Sequence, residues 1–204
     1  MQLLQQGVKL GLGVLAFAML GDVGSTRHSA AAETGVDLEL VIAIDVSRPM
    51  DMDEAVVARN GYVAAFNDPD VIKAVTSGPN RRIAVTYVEW SDPDVQVVVV
   101  PWTIVDGKAA GAAFASQLGK ASLQQLRTTS MSGALLFSAA LFDKAGFLSP
   151  RRTIDISGNG PNTSGVGVTA ARDMVTSRGI TINGLPIDLG PREAVIPNLS
   201  TYYQ

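Results

Sequence analysis

The residues best suited to chemistry in this sequence are oxygen donors. Asp45 and Ser47 stand two apart at the end of an apolar run, and Thr128, Thr129 and Ser130 precede a long apolar helix pattern. Asn159 lies inside the Gly-rich stretch Ser157-Gly-Asn-Gly-Pro-Asn-Thr-Ser-Gly-Val-Gly167. Carboxylate, hydroxyl and amide oxygens, without nitrogen or sulfur ligands, suit a hard cation such as Mg2+ or Mn2+. The free N–H groups where a helix begins add donors that can face a ligand. The same inventory excludes much other chemistry. The 204 residues contain no Cys and one His, His28, which removes thiolate catalysis, disulfides, zinc fingers and imidazole acid–base work. No G-x-S-x-G elbow is present for a serine hydrolase. The Gly-rich stretch lacks G-x-G-x-x-G spacing, so a nucleotide-binding enzyme using residues 157–167 is the weaker alternative. Asp51 with Asp53, and Asp68 with Asp70, read as helix-cap and turn residues rather than catalytic pairs. No enzymatic activity is expected.

These donors need a framework, and the composition supplies one. With 47% hydrophobic and 17% charged residues the chain can bury a core as a globular domain. Sixteen Lys and Arg against nineteen Asp and Glu, with no basic run, leave no electrostatic footprint for nucleic acid. From Asp37 onward the hydrophobic period alternates between strand and helix, the pattern of an α/β domain. Residues 38–44 form an apolar run typical of a strand covered on both faces, ended by Asp45. A helix is predicted from Asp51, as its N-cap, through Phe66 to the turn at residues 67–70. Strands at 83–90 and 95–102 are joined only by Ser91-Asp92-Pro93-Asp94, too short for a crossover, so one strand runs against the others. An Ala-rich helix at 108–120 follows, then a helix whose stripe is Met131, Ala134, Leu135, Ser138, Leu141, Phe142 and Ala145. A strand at 153–157, a helix at 168–178 closed by Gly179, and a strand at 180–185 complete the pattern. Beyond residue 187 Gly190, Pro191 and Pro197 break it, and no further helix is expected. Trp90 and Trp102 are expected to pack together as a hairpin pair, and Tyr202 and Tyr203 to anchor loops. In an open, mainly parallel sheet, ligands sit beyond the carboxyl ends of the strands, where Asp45 and the Gly-rich loop would meet.

Lys9 and the apolar residues 10–20 have the form of a signal-peptide h-region, too short for a membrane span. Ala30-x-Ala32 fits a cleavage site, giving residues 1–32 as signal peptide and 33–204 as a periplasmic or secreted domain with no stable membrane span.

Asp45-x-Ser47, Thr129 ahead of Ala134-Leu135, and Ser157-Gly-Asn159-Gly160 resemble the three loops of the metal-ion-dependent adhesion site of von Willebrand factor A domains. More narrowly, several strings resemble the bacterial exported family called domain of unknown function 1194. They include Val85-Thr-Tyr-Val-Glu-Trp90, Val99-Val-Pro-Trp-Thr103, Ser130-Met-Ser-Gly-Ala134 and Ile154-Asp-Ile-Ser-Gly158, over roughly residues 36–204. The resemblance implies a mainly parallel sheet with one antiparallel strand and helices on both faces. It further implies Asp45, Ser47 and Thr129 as ligands of Mg2+ or Mn2+, with Ser47 as the direct hydroxyl. Two positions depart from the motif: Pro49 stands where D-x-S-x-S has its second Ser, and Asn159 stands where an Asp is usual. Weak cation binding is therefore expected, and Arg48 is a candidate to pair with Asp45 in place of the ion. The implied function is that of a protein-binding module, whose partner is an unknown protein or carboxylate-bearing ligand. Family members continue past the equivalent of Tyr202-Tyr203 with a further strand and helix. That implies an incomplete sheet, self-association through the edge at 180–185, and, as the alternative function, a truncated structural remnant.

Overall fold

The computed structural model describes residues 34–47, 52–122, 128–187 and 198–204. The expectations for residues 1–32, Arg48, Pro49 and Asp51 lie outside the described residues.

The domain is built on β2 (Glu39–Asp45), whose sequence ELVIAID alternates its apolar side chains between two cores. Successive strand residues point to opposite faces. Val41 and Ala43 join Val88, Trp90, Ile154 and Ile156 under α4 (Met131–Phe142) and α5 (Val168–Thr176). Ile42 and Ile44 join Val85, Tyr87 and Val100 under α1 (Met52–Ala65) and α3 (Lys108–Lys120), with Phe66, Phe114 and Leu118 filling the gap. The remaining strands are β3 (Ile83–Trp90), β4 (Gln96–Val105), β6 (Arg152–Gly158) and β7 (Ile180–Pro186). Their order is β4-β3-β2-β6-β7, with β2 in the middle and only β4 antiparallel. The short 91–95 connection explains that exception. This is the α/β architecture the sequence predicts, and among the described residues β4 and β7 are the two outer strands, with Leu185 of β7 exposed.

Four features differ from the sequence reading. The turn at 67–70 starts a helix, α2 (Pro69–Val75), because Asp68 Oδ1 accepts from Asp70 N at 2.7 Å while Pro69 takes a first-turn position that needs no N–H. Two-residue strands β1 (Thr34–Gly35) and β5 (Phe147–Leu148) pair in parallel, too short to carry a periodic signal. A further helical turn does form, α6 (Leu199–Tyr202), entered through Asn198 in the left-handed region at φ 60°. Trp90 and Trp102 are not a cross-strand pair. Trp90 stands opposite Gln96, whereas the Trp102 ring meets Phe142 at 5.7 Å and Phe147 at 6.1 Å. Trp90 ends β3 at the turn and Trp102 lies well along β4 from it, so an antiparallel hairpin keeps the two apart along its length.

Buried charge ties the helices to the sheet. Arg59 on α1 pairs with Glu89 on β3 and also donates to the carbonyls of Ala121 and Ser122 at the end of α3. Both side chains are almost fully buried, and burial pushes the Glu89 carboxyl upward while Arg59 pulls it back. Removing one partner of such a pair leaves an uncompensated charge. Arg59→Ala is expected to lower stability by about 3 kcal/mol in urea unfolding, whereas the double variant Arg59→Met with Glu89→Leu loses much less.

Candidate functional site

Asp45 is the last residue of β2, flanked by β3 and β6, so its side chain emerges at the carboxyl end of the sheet. The chain turns immediately: Asp45 Oδ1 accepts a hydrogen bond from Ser47 N at 2.7 Å, an Asx-type turn. That turn aims Ser47 Oγ at Thr129 Oγ1, 2.8 Å away. Asp45 and Ser47 thus meet Thr129, which is 82 residues beyond Ser47 in sequence, and all three are buried.

Thr129 is held by the Gly-rich loop. Its carbonyl accepts from Thr163 N at 2.8 Å and Ser164 N at 3.2 Å, and its own N–H donates to Thr163 Oγ1 at 3.2 Å. Asp92, in the β3–β4 turn, accepts from Thr128 N at 2.9 Å, and Ser130 Oγ caps α4 by accepting from Gly133 N at 3.2 Å. Asn162 Oδ1 accepts from Ser132 N at 3.0 Å. Backbone N–H groups that a helix start leaves unpaired are satisfied here by neighbouring loops, which locks the three segments to one another. Asp92, Asn162 and Thr163 were not singled out by sequence reasoning. They act through turn geometry and side-chain-to-backbone bonds that carry no spacing signature. Asn159 is buried and follows Gly158, which lies against Asp45.

The approach at Gly158 is close. A Cβ there would lie 2.8 Å from Asp45 Oδ2 and 2.6 Å from the Tyr203 hydroxyl, so only glycine fits against both. Tyr203, read from sequence as a loop anchor, therefore stands beside the carboxylate, with its hydroxyl donating to Gly160 O at 3.4 Å. Asp45 Oδ2 has no hydrogen-bond partner among the described residues.

Burial pushes the Asp45 carboxyl up to about 6, against hydrogen bonds from Ser47 that favour the charged form. Among the described residues no three His, Cys, Asp or Glu side chains gather, so the cluster offers one carboxylate and hydroxyls. Those oxygens fit a small hard cation. The 2.8 Å between Ser47 Oγ and Thr129 Oγ1 is close to the roughly 3.0 Å edge of an octahedron whose ligands stand about 2.1 Å from Mg2+.

The raised carboxyl has a consequence for stability. Asp45 ionises near its ordinary 3.8 in the unfolded chain and at about 6 in the fold, so between those values the native state holds more protons. Its contribution is intact below pH 4 and is lost as pH rises through 6. In EDTA, urea unfolding of the wild type minus that of Asp45→Asn should therefore fall by up to about 3 kcal/mol between pH 4 and 7, then level off.

The fold has known counterparts. Proximal thread matrix protein 1 from the mussel byssus, solved with a zinc-occupied MIDAS motif, superposes with a TM-score of 0.61 at 14% identity, over 78% of this chain and 40% of that one. The pilus adhesin SpaC from Lactobacillus rhamnosus GG, in its open conformation, gives 0.57 at 12% identity, over 82% of this chain and 26% of that one. The chain thus spans well under half the length of either protein, and the likeness is one of fold. No curated protein matches. The family model described as "Protein of unknown function (DUF1194)" matches residues 35–204. The parallel sheet centred on β2, the donors at its carboxyl end and that match together place the chain in the DUF1194 family, with a von Willebrand factor A-like fold.

Proposed function

We propose that this chain is an exported, non-catalytic binding module that engages a protein or carboxylate-bearing ligand at the carboxyl end of β2, through a weakened cation site. The observation that carries the reading is the convergence of Asp45, Ser47 and Thr129, with Ser47 Oγ and Thr129 Oγ1 2.8 Å apart beside a buried carboxylate. Ser47 would hold the ion directly, with Asp45 and Thr129 as outer or water-mediated ligands. The bound ion would supply a positive centre for an acidic group of the partner. Two substitutions argue for weak affinity: Pro49 brings no hydroxyl, and Asn159 brings an amide oxygen without charge. One carboxylate is a small charge for a divalent ion.

Export is supported by the apolar residues 10–20 and Ala30-x-Ala32, and no described helix is long and apolar enough to cross a membrane. A binding role without catalysis is supported by the lack of Cys and of any His after His28. That one structural neighbour is a pilus adhesin is in keeping with it.

A cation bound only by the native state raises the melting temperature by mass action. At pH 7.5, a dissociation constant near 1 mM would give about 1.4 kcal/mol at roughly 10 mM Mn2+, a rise of about 3 °C over EDTA. Ser47→Ala is expected to abolish that rise. A wild type indifferent to Mg2+ and Mn2+ would remove the cation from the reading.

A further inference from the structure

We propose that the turn Asn198–Gln204 is a lid on the Asp45 carboxylate, with the Tyr203 hydroxyl as its inner tip, and that a ligand reaches Asp45 only when this turn swings away. In naming what enters, the lid rests on the reading of Asp45, Ser47 and Thr129 as a binding site. Its geometry is independent of that reading.

The lid is placed by two close approaches. The Tyr203 hydroxyl and Asp45 Oδ2 lie 2.6 and 2.8 Å from the same point above Gly158, so the phenol fills the space beside the carboxylate oxygen that lacks a partner among the described residues. At Gly184 a Cβ would meet Tyr203 O at 2.7 Å, so the backbone of the turn lies directly on β7. The turn also reaches the Gly-rich loop: Tyr202 Oη accepts from Asn162 N at 2.9 Å, and Asn162 in turn accepts from Ser132 N on α4. Burial and the Asp45 charge both push the phenol upward, so it stays a neutral hydroxyl beside the carboxylate.

Leu199 is buried and Tyr203 packs on the core under α4 and α5, so these two side chains hold the turn down. The lid is one helical turn, Leu199–Tyr202, and its entry residue Asn198 sits in the left-handed region at φ 60°, a conformation Asn tolerates and a natural point of rotation. The bond from Tyr203 to Gly160 O is long at 3.4 Å. The turn borders an open cavity of about 80 Å³ whose lining includes Met131, Leu135, Thr169 and Arg172 together with Tyr202 and Tyr203.

Because the chain has no Cys, the variant D45C carries a single thiol at the protected position. Its labelling by an aromatic disulfide reagent should be slow, and about tenfold faster in D45C/Y203A, as expected when a local covering element is removed. D45C/V175A, which opens the core under α5 instead, should stay slow. Equal rates in D45C and D45C/Y203A overturn the lid. Should D45C fail to fold, amide hydrogen exchange of residues 158–166 decides the matter in the full chain with Asp45 intact: faster exchange in Y203A than in wild type supports the lid, and unchanged exchange overturns it. Calorimetric titration with Mn2+ separates this from the cation reading. Tighter binding by Y203A than by wild type, lost in S47A/Y203A, supports both. Equal binding by wild type and Y203A keeps the cation site and overturns the lid. An unmasked thiol with no Mn2+ bound by either form keeps the lid and discards the cation.

Discussion

A carboxylate buried at the end of the central strand, with no countercharge among the described residues, is the constraint around which this domain is arranged. Asp45 is shut off from solvent at the end of β2, where β3 and β6 flank it and the Tyr203 hydroxyl shares the space over Gly158. One of its oxygens is satisfied by the turn that follows, which fixes Ser47, and Ser47 in turn fixes Thr129. Each further bond around the site extends that chain. Thr129 holds the Gly-rich loop through its carbonyl, and the loop holds α4 through Asn162. Burying a polar group without full compensation costs free energy, and such costs concentrate where a binding surface needs an unsatisfied group.

The rest of the fold provides the rigidity that makes this arrangement possible. β2 contributes alternate residues to two separate cores, so its carboxyl end cannot tilt toward one face without disrupting packing on the other. Charge is placed with similar economy. Glu39, at the opposite end of the same strand, is buried and accepts from Arg152 Nε at 3.0 Å, and Glu89 is held by Arg59. Of the buried carboxylates along β2 and β3, Asp45 alone has no ion pair among the described residues, and it is the one that faces the loops.

Much of this was legible in the sequence. The apolar run ending at Asp45, the short 91–95 connection, and the helical stripe from Met131 pointed to a strand covered on both faces, the antiparallel exception and a main covering helix, because period and loop length are local properties. The loops bearing Asp45, Ser47, Thr129 and Asn159 were recognisable from oxygen-bearing residues at strand ends. What escaped was short or register-dependent. α2 and α6 are about two turns or fewer, β1 and β5 have two residues each, and the Trp90–Trp102 pairing failed because Trp90 sits at the turn end of β3 while Trp102 lies well along β4 from it.

By itself, then, the sequence determined the α/β class, the central strand and the chemical character of the candidate site. Those follow from side-chain type and periodicity, which act over a few residues at a time. Tertiary structure alone decided that Ser47 and Thr129 meet at 2.8 Å, that Asp45 keeps an oxygen with no partner among the described residues, and that Tyr203 stands beside it across Gly158. These contacts join segments tens to more than a hundred residues apart. Their geometry is set by the closeness of β2, β6 and β7 in a twisted sheet, where a missing Cβ at Gly158 or Gly184 opens a path that no local pattern records.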